Sequence, residues 1–93
     1  MPNSKKFEFR GGTYEVSVAA ARSMRVQRDI SLVGEPGHAA KGWESFDKLF
    51  CGHLDEYFDR IPGEDGDVSE FGCSDEDFAE FVKAAAGAAN AKN

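Results

Sequence analysis

The sequence predicts an α+β domain, an N-terminal two-stranded antiparallel β-hairpin packed on three or four α-helices. Three observations carry this. Residues 5–18 alternate polar and apolar side chains around Gly11-Gly12, residues 40–61 repeat apolar side chains every three to four positions, and Ser74 opens an acidic and then apolar segment near the C-terminal end. Ninety-three residues suffice for one small domain and not for two. No internal repeat or linker divides residues 1–93, and order is expected over about residues 5–88 with frayed ends.

In the hairpin, Lys5 to Arg10 and Thr13 to Val18 each show the period of two that gives a strand one covered face. Glycine tolerates the positive φ angles of a two-residue turn, so Gly11-Gly12 is the predicted turn. That turn sets Phe9 opposite Tyr14, Phe7 opposite Val16 and Glu8 opposite Glu15, with all four apolar residues on one face. A lone hairpin is marginal in water, so this face must pack on something.

A helix is predicted from about Ala19 to Val33. Three alanines open it, Val26, Ile30 and Val33 follow at helical spacing, Gly34 suits the C′ position, and Pro36 cannot continue it. Arg22, Arg25 and Arg28 fan over ~120° of its surface, either as a solvated face or as a docking face for an acidic partner.

The third segment is the most periodic. Trp43, Phe46, Phe50, Leu54, Tyr57 and Ile61 form one stripe, widened by Leu49 and Phe58. One continuous helix would be ~31 Å long, about the diameter of the whole domain, so Gly52 is a candidate break. The final helix follows Ser74 as N-cap, with Asp77 at N3 as a capping-box variant and Asp75, Glu76 and Asp77 favouring the positive end of the helix dipole. Its apolar face is Phe78, Phe81, Val82, Ala85 and Ala89, and fraying is expected from about Ala88.

Composition narrows the functional classes. Hydrophobic residues are 41% of the chain and charged residues 30%, a globular balance, and the aromatic residues are the main core material. No apolar run approaches the ~20 residues of a membrane span, and no signal-like start is visible, so a cytoplasmic setting with reduced thiols is expected. The net charge of −6 divides into +3 over residues 1–30 and −9 over residues 31–93. The 11 acids between Asp55 and Glu80 repel nucleic acid. The split serves solubility, or it draws the acidic and basic halves of neighbouring copies together head to tail.

Candidate chemistry is thin. Cys51 and His53 would point ~200° apart on a helix, and no Cys-x-x-Cys pair exists, so zinc is not expected. Cys51 reads as a small core residue and Cys73 as a loop residue. Counting back from Gly63 or Gly66 places Phe58 or Ile61 at the first position of a calcium loop, which disqualifies both. Ser, His and Asp occur at no informative spacing. The expectation is a non-enzymatic chain without cofactor or metal. Candidate partner-binding residues are Phe71, Phe78, Phe81, Val82 and Ala85, whose last four have the spacing of a groove-docking helix, together with Arg22, Arg25 and Arg28.

The order of these segments carries a resemblance. An aromatic hairpin, Phe7-Glu8-Phe9-Arg10-Gly11-Gly12-Thr13-Tyr14-Glu15-Val16, leads into the basic stretch Arg22-Ser23-Met24-Arg25-Val26-Gln27. Trp43-Glu44-Ser45-Phe46-Asp47-Lys48-Leu49-Phe50-Cys51-Gly52 and Leu54-Asp55-Glu56-Tyr57 follow, and the chain closes on Ser74-Asp75-Glu76-Asp77-Phe78-Ala79-Glu80-Phe81 and an alanine-rich end. Over roughly residues 5 to 90 this resembles the small tail assembly chaperones of long-tailed bacteriophages and prophages. The resemblance rests on pattern and order, with no diagnostic motif. It implies a self-associating, non-enzymatic protein in the bacterial host cytoplasm that coats the tape-measure protein while tail-tube subunits assemble. The alternative reading is a small acidic bacterial adaptor or inhibitor, such as a nucleic-acid mimic.

Overall fold

The order of elements in the computed structural model is β1 (Ser4–Phe9), β2 (Gly12–Ser17), α1 (Val18–Ala21), α2 (Met24–Ser31), α3 (Ala39–Leu49), α4 (Leu54–Arg60) and α5 (Asp75–Asn90). The structure describes residues 4–90. It is the α+β arrangement expected, a hairpin followed by helices, with the long predicted segments divided more finely.

The hairpin turn is Arg10-Gly11, one residue earlier than predicted. Phe9 pairs with Gly12, Phe7 with Tyr14, Lys6 with Glu15 and Glu8 with Thr13. Arg10 and Gly11 have φ of +48° and +84°, as a type I′ turn requires. This register differs from the predicted one by two residues, so Phe7, Phe9, Tyr14 and Val16 still share a face. It also replaces the Glu8–Glu15 clash with a Lys6–Glu15 pairing. A positive φ is unusual for arginine, and distant groups hold it. Arg10 Nη1 donates to Asp77 Oδ1 at 2.7 Å and to Pro62 O at 2.9 Å, and the guanidinium lies 4.8 Å over the Phe9 ring. Gly12 serves packing instead: a Cβ there would sit 2.8–3.0 Å from the Tyr14 ring and hydroxyl.

Helix α4 closes the outer edge of β2. Glu15 N donates to the Tyr57 hydroxyl at 2.9 Å, Arg60 Nη2 donates to Thr13 O at 3.0 Å, and the Tyr14 hydroxyl donates to Arg60 O at 3.3 Å. Arg60 also covers the Tyr14 ring at 4.7 Å. Glu15 N and Thr13 O, which would otherwise be open to strand addition, are thereby occupied.

The predicted Ala19–Val33 helix is two helices. Ser17 caps α1 by accepting from Ala20 N, and Ser23 caps α2 by accepting from Val26 N. A serine able to bond its own downstream N–H groups restarts the chain in a new direction. Gly34 does not act as the C′ residue: α2 ends at Ser31 with Leu32 as its C-cap, and the positive φ in this loop is at Gly37. Buried Asp29 ties α2 to α3, accepting from Ser45 Oγ at 3.2 Å and from Arg28 at 3.1 and 3.2 Å. Burial alone would raise its pKa, but Arg28 and Ser45 outweigh that and hold it below the ordinary carboxylate value.

The aromatic segment breaks where a single helix would have been too long. Cys51 and Gly52 have φ of +60° and +83°, and Cys51 N donates to Lys48 O while Gly52 N donates to Asp47 O at 2.7 Å. This is a Schellman ending with Cys51 at the left-handed C′ position. Cys51 is accordingly exposed, not the core residue expected. Asp47 Oδ1 then accepts from Leu54 N at 3.1 Å and starts α4.

At α5, Ser74 Oγ accepts from Asp77 N at 3.1 Å and donates to Asp77 Oδ2 at 3.0 Å. The helix passes the expected fraying point, since Ala89 is fully buried and α5 reaches Asn90; residues 91–93, also expected to fray, lie outside the described residues. The core sits between the apolar hairpin face, α3, α4 and α5, with Phe50, Phe81, Ile61 and Val16 its largest fully buried side chains.

Candidate partner-binding groove

Three helices and one loop place an aromatic groove on the surface. Trp43 of α3, Phe58 of α4 and Phe78 of α5 meet there, with Trp43 6.0 Å from Phe58, 6.3 Å from Phe78, and Phe58 5.2 Å from Phe78 between ring centroids. Phe71 and Cys73, from the α4–α5 loop, complete a groove of about 350 Å³ that ends on Ser74 and Asp75. Trp43 is 43% exposed and Phe71 is 90% exposed. Burying a phenylalanine contributes about 1.5–3 kcal/mol, and the isolated chain leaves that contribution unused at Phe71.

The loop that carries Phe71 is built by its own bonds. Gly63 N donates to Asp67 O, Gly66 N to Gly63 O, Asp67 N to Asp65 Oδ1, Phe71 N to Ser69 Oγ and Gly72 N to Ser69 O, all at 2.9–3.1 Å. Cys73 N then donates to Phe58 O at 2.9 Å. Gly72 has a φ of +83°, and a Cβ there would lie 3.2 Å from Phe58 O. The tight turn at Gly72 brings the backbone against α4 while the preceding side chain projects outward. Val68 of the same loop is 52% exposed, and Glu64, Asp65, Asp67 and Glu70 surround these apolar groups in sequence.

The groove is suited to hydrophobic docking. Burial pushes the Cys73 thiol up, and the Asp77 and Asp59 carboxylates add to the shift, so at neutral pH it is an uncharged wall and not a thiolate. Ser74 is engaged as the α5 cap. Arg10 and Ser74 together hold the Asp77 carboxyl below its ordinary value. Among the described residues, no three His, Cys, Asp or Glu side chains converge as metal ligands.

The candidate residues from the sequence are divided by the fold. Phe71 and Phe78 line the groove, but Phe81 and Ala85 are fully buried and Val82 packs half-buried against the core. The face of α5 read as a docking stripe is therefore core, because the aromatic segment alone does not cover the hairpin: Phe81 fills the space against Phe7, Phe9 and Tyr14. Arg22, just before α2, and Arg25 and Arg28 on it are exposed and do not line the groove. Arg28 is committed to Asp29 at 3.1 Å. The sequence reading missed Trp43 and Phe58 as groove residues by assigning the whole stripe to the core. Tryptophan's size was the available signal, since it is rarely buried completely. No family model, curated protein or solved structure matches the chain.

Proposed function

We propose that this chain is a non-enzymatic protein-binding module that acts as a phage or prophage tail assembly chaperone in the bacterial cytoplasm, holding a tape-measure protein in the Trp43–Phe71 groove. The observation that carries the binding role is Phe71, 90% exposed beside a half-open tryptophan on a loop fastened by its own hydrogen bonds. An apolar anchor held outward at an aromatic groove suits the apolar face of a helix. The order of segments over residues 5–90 supports the assignment to tail assembly. A tape-measure protein is long, helical and aggregation-prone when unassembled, and its exposed apolar faces are the chemistry such a groove shields. No helix of the described residues is long and apolar enough to cross a membrane. The small acidic adaptor is served less well, because the loop carboxylates surround exposed apolar side chains.

The test is co-expression with the tape-measure protein from the same locus. Wild type is expected to keep it soluble. Phe71→Ala is expected to lose that capacity with its melting curve unchanged. An insoluble partner in the presence of wild type would overturn the chaperone assignment, and full solubilisation by Phe71→Ala would move the binding surface elsewhere.

A further inference from the structure

Two exposed apolar residues sit in surroundings of opposite charge. Phe71 belongs to the acidic loop, where the side chains of Asp67 and Glu70 make no hydrogen bond or ion pair with the described residues. Met24, 75% exposed, opens α2 between Arg22 and Arg25, and neither arginine has an ion-pair partner among the described residues. The two patches lie on different sides of α3. Ser45 faces α2 through Asp29 and Gly42 faces Val33 just after it, whereas Trp43 faces Phe58 and Phe78. Adjacent helical positions differ by ~100° around the axis, so α2 and the groove flank α3 on different sides, and none of Arg22, Met24 and Arg25 lines the groove of its own chain.

We propose that the groove of one copy takes the basic α1–α2 face of a second copy, Met24 seating against the Phe71–Trp43 aromatics and Arg22 and Arg25 pairing with the loop carboxylates. This rests on the groove being a protein-docking surface, as proposed above. Unlike patches make the contact heterologous, so repetition builds open strings or closed rings. Two chains of net charge −6 repel at long range. At physiological salt the screening length is about 8 Å, which mutes that repulsion while contact pairs persist. Self-association of this kind keeps the groove covered until a client helix displaces the neighbouring copy.

The test is light scattering of the full-length chain after size exclusion over a range of concentrations. Wild type is expected to grow reversibly beyond one chain and to shrink in high salt. Arg22→Glu/Arg25→Glu removes the basic face, and Phe71→Ala/Glu70→Lys removes the groove; all four positions are exposed, so circular dichroism is expected to match wild type. Each variant alone is expected to be monomeric. Mixed, they are expected to give a one-to-one pair that grows no further, since only one intact groove and one intact face remain. A monomeric wild type at all concentrations, or variants that stay monomeric when mixed, would overturn the head-to-tail contact. The arginine variant retains its groove and is expected still to solubilise the tape-measure protein. Its failure to do so, with the mixing result intact, would count against the client assignment alone.

Discussion

Phe81→Ala separates a core role for α5 from a docking role. Phe81 is fully buried, and its ring centroid lies 4.8–6.3 Å from those of Phe7, Phe9, Tyr14, Phe50, Tyr57 and Phe78. Truncating a buried phenylalanine costs about 3–5 kcal/mol, more where the surroundings cannot collapse. Six rings held by the hairpin and three helices collapse poorly, which favours the upper part of that range. At about 0.05–0.15 kcal/mol per residue a chain of this length has about 5–14 kcal/mol in total, so the loss is about a third or more of it, and at the lower end all of it. With about 4–8 °C lost per kcal/mol, thermal melts followed by circular dichroism are expected to fall by about 12–40 °C. Phe81→Leu, which retains part of the volume, supplies a folded intermediate. Phe71→Ala is the control, within about 0.5 kcal/mol of wild type. A Phe81→Ala melt within about 4 °C of wild type would refute the packing described.

Gly11→Val places a β-branched residue at a φ of +84° and is expected to cost at least about 1–2 kcal/mol; an unchanged urea midpoint would put the turn elsewhere. Gly42→Ala sets a Cβ 2.8 Å from the Val33 backbone and is expected to cost about 1–3 kcal/mol by forcing the segment after α2 off α3, again read from the urea midpoint. Asp77 has its folded pKa lowered from an ordinary 3.8, first by the Arg10 hydrogen bond. The stability it contributes is therefore complete above the unfolded value and is lost as pH falls through the folded value. Asp77→Asn is expected to flatten the acid limb of the stability–pH curve below about pH 4, and an unaltered limb would show that the pair contributes nothing to it.

Local pattern was enough for the hairpin faces because a two-residue register error preserves side-chain parity. It was not enough for the turn. Glycine satisfies a positive φ more readily than arginine, so local preference favours Gly11-Gly12, and the decision for Arg10-Gly11 lies with Asp77 and Pro62, far along the chain. The α1–α2 break was visible as Ser23, a good cap inside a periodic run, but periodicity alone reads through it. Cys51 at a left-handed position follows from the geometry of the Schellman ending, which cysteine does not advertise. In the groove, Phe71 was legible only as an aromatic just upstream of the α5 face, and its outward placement depends on the turn at Gly72. The separation of Trp43 and Phe58 from Phe46 and Phe50 was not, since one helical stripe serves both the core and its open edge. The buried Asp29 had no signal in the sequence, for its burial depends on Ser45 arriving from α3.

The binding claim has a reporter built into it, because the chain's one tryptophan lines the groove at 43% exposure. The direct measurement is Trp43 emission while a tryptophan-free helical segment of the tape-measure protein from the same locus is titrated into the Arg22→Glu/Arg25→Glu variant, whose groove is free of neighbouring copies. Docking in the groove predicts a saturable blue shift that disappears when Phe71→Ala is added. Binding detected by calorimetry with Trp43 emission unmoved would contradict the groove as the partner site.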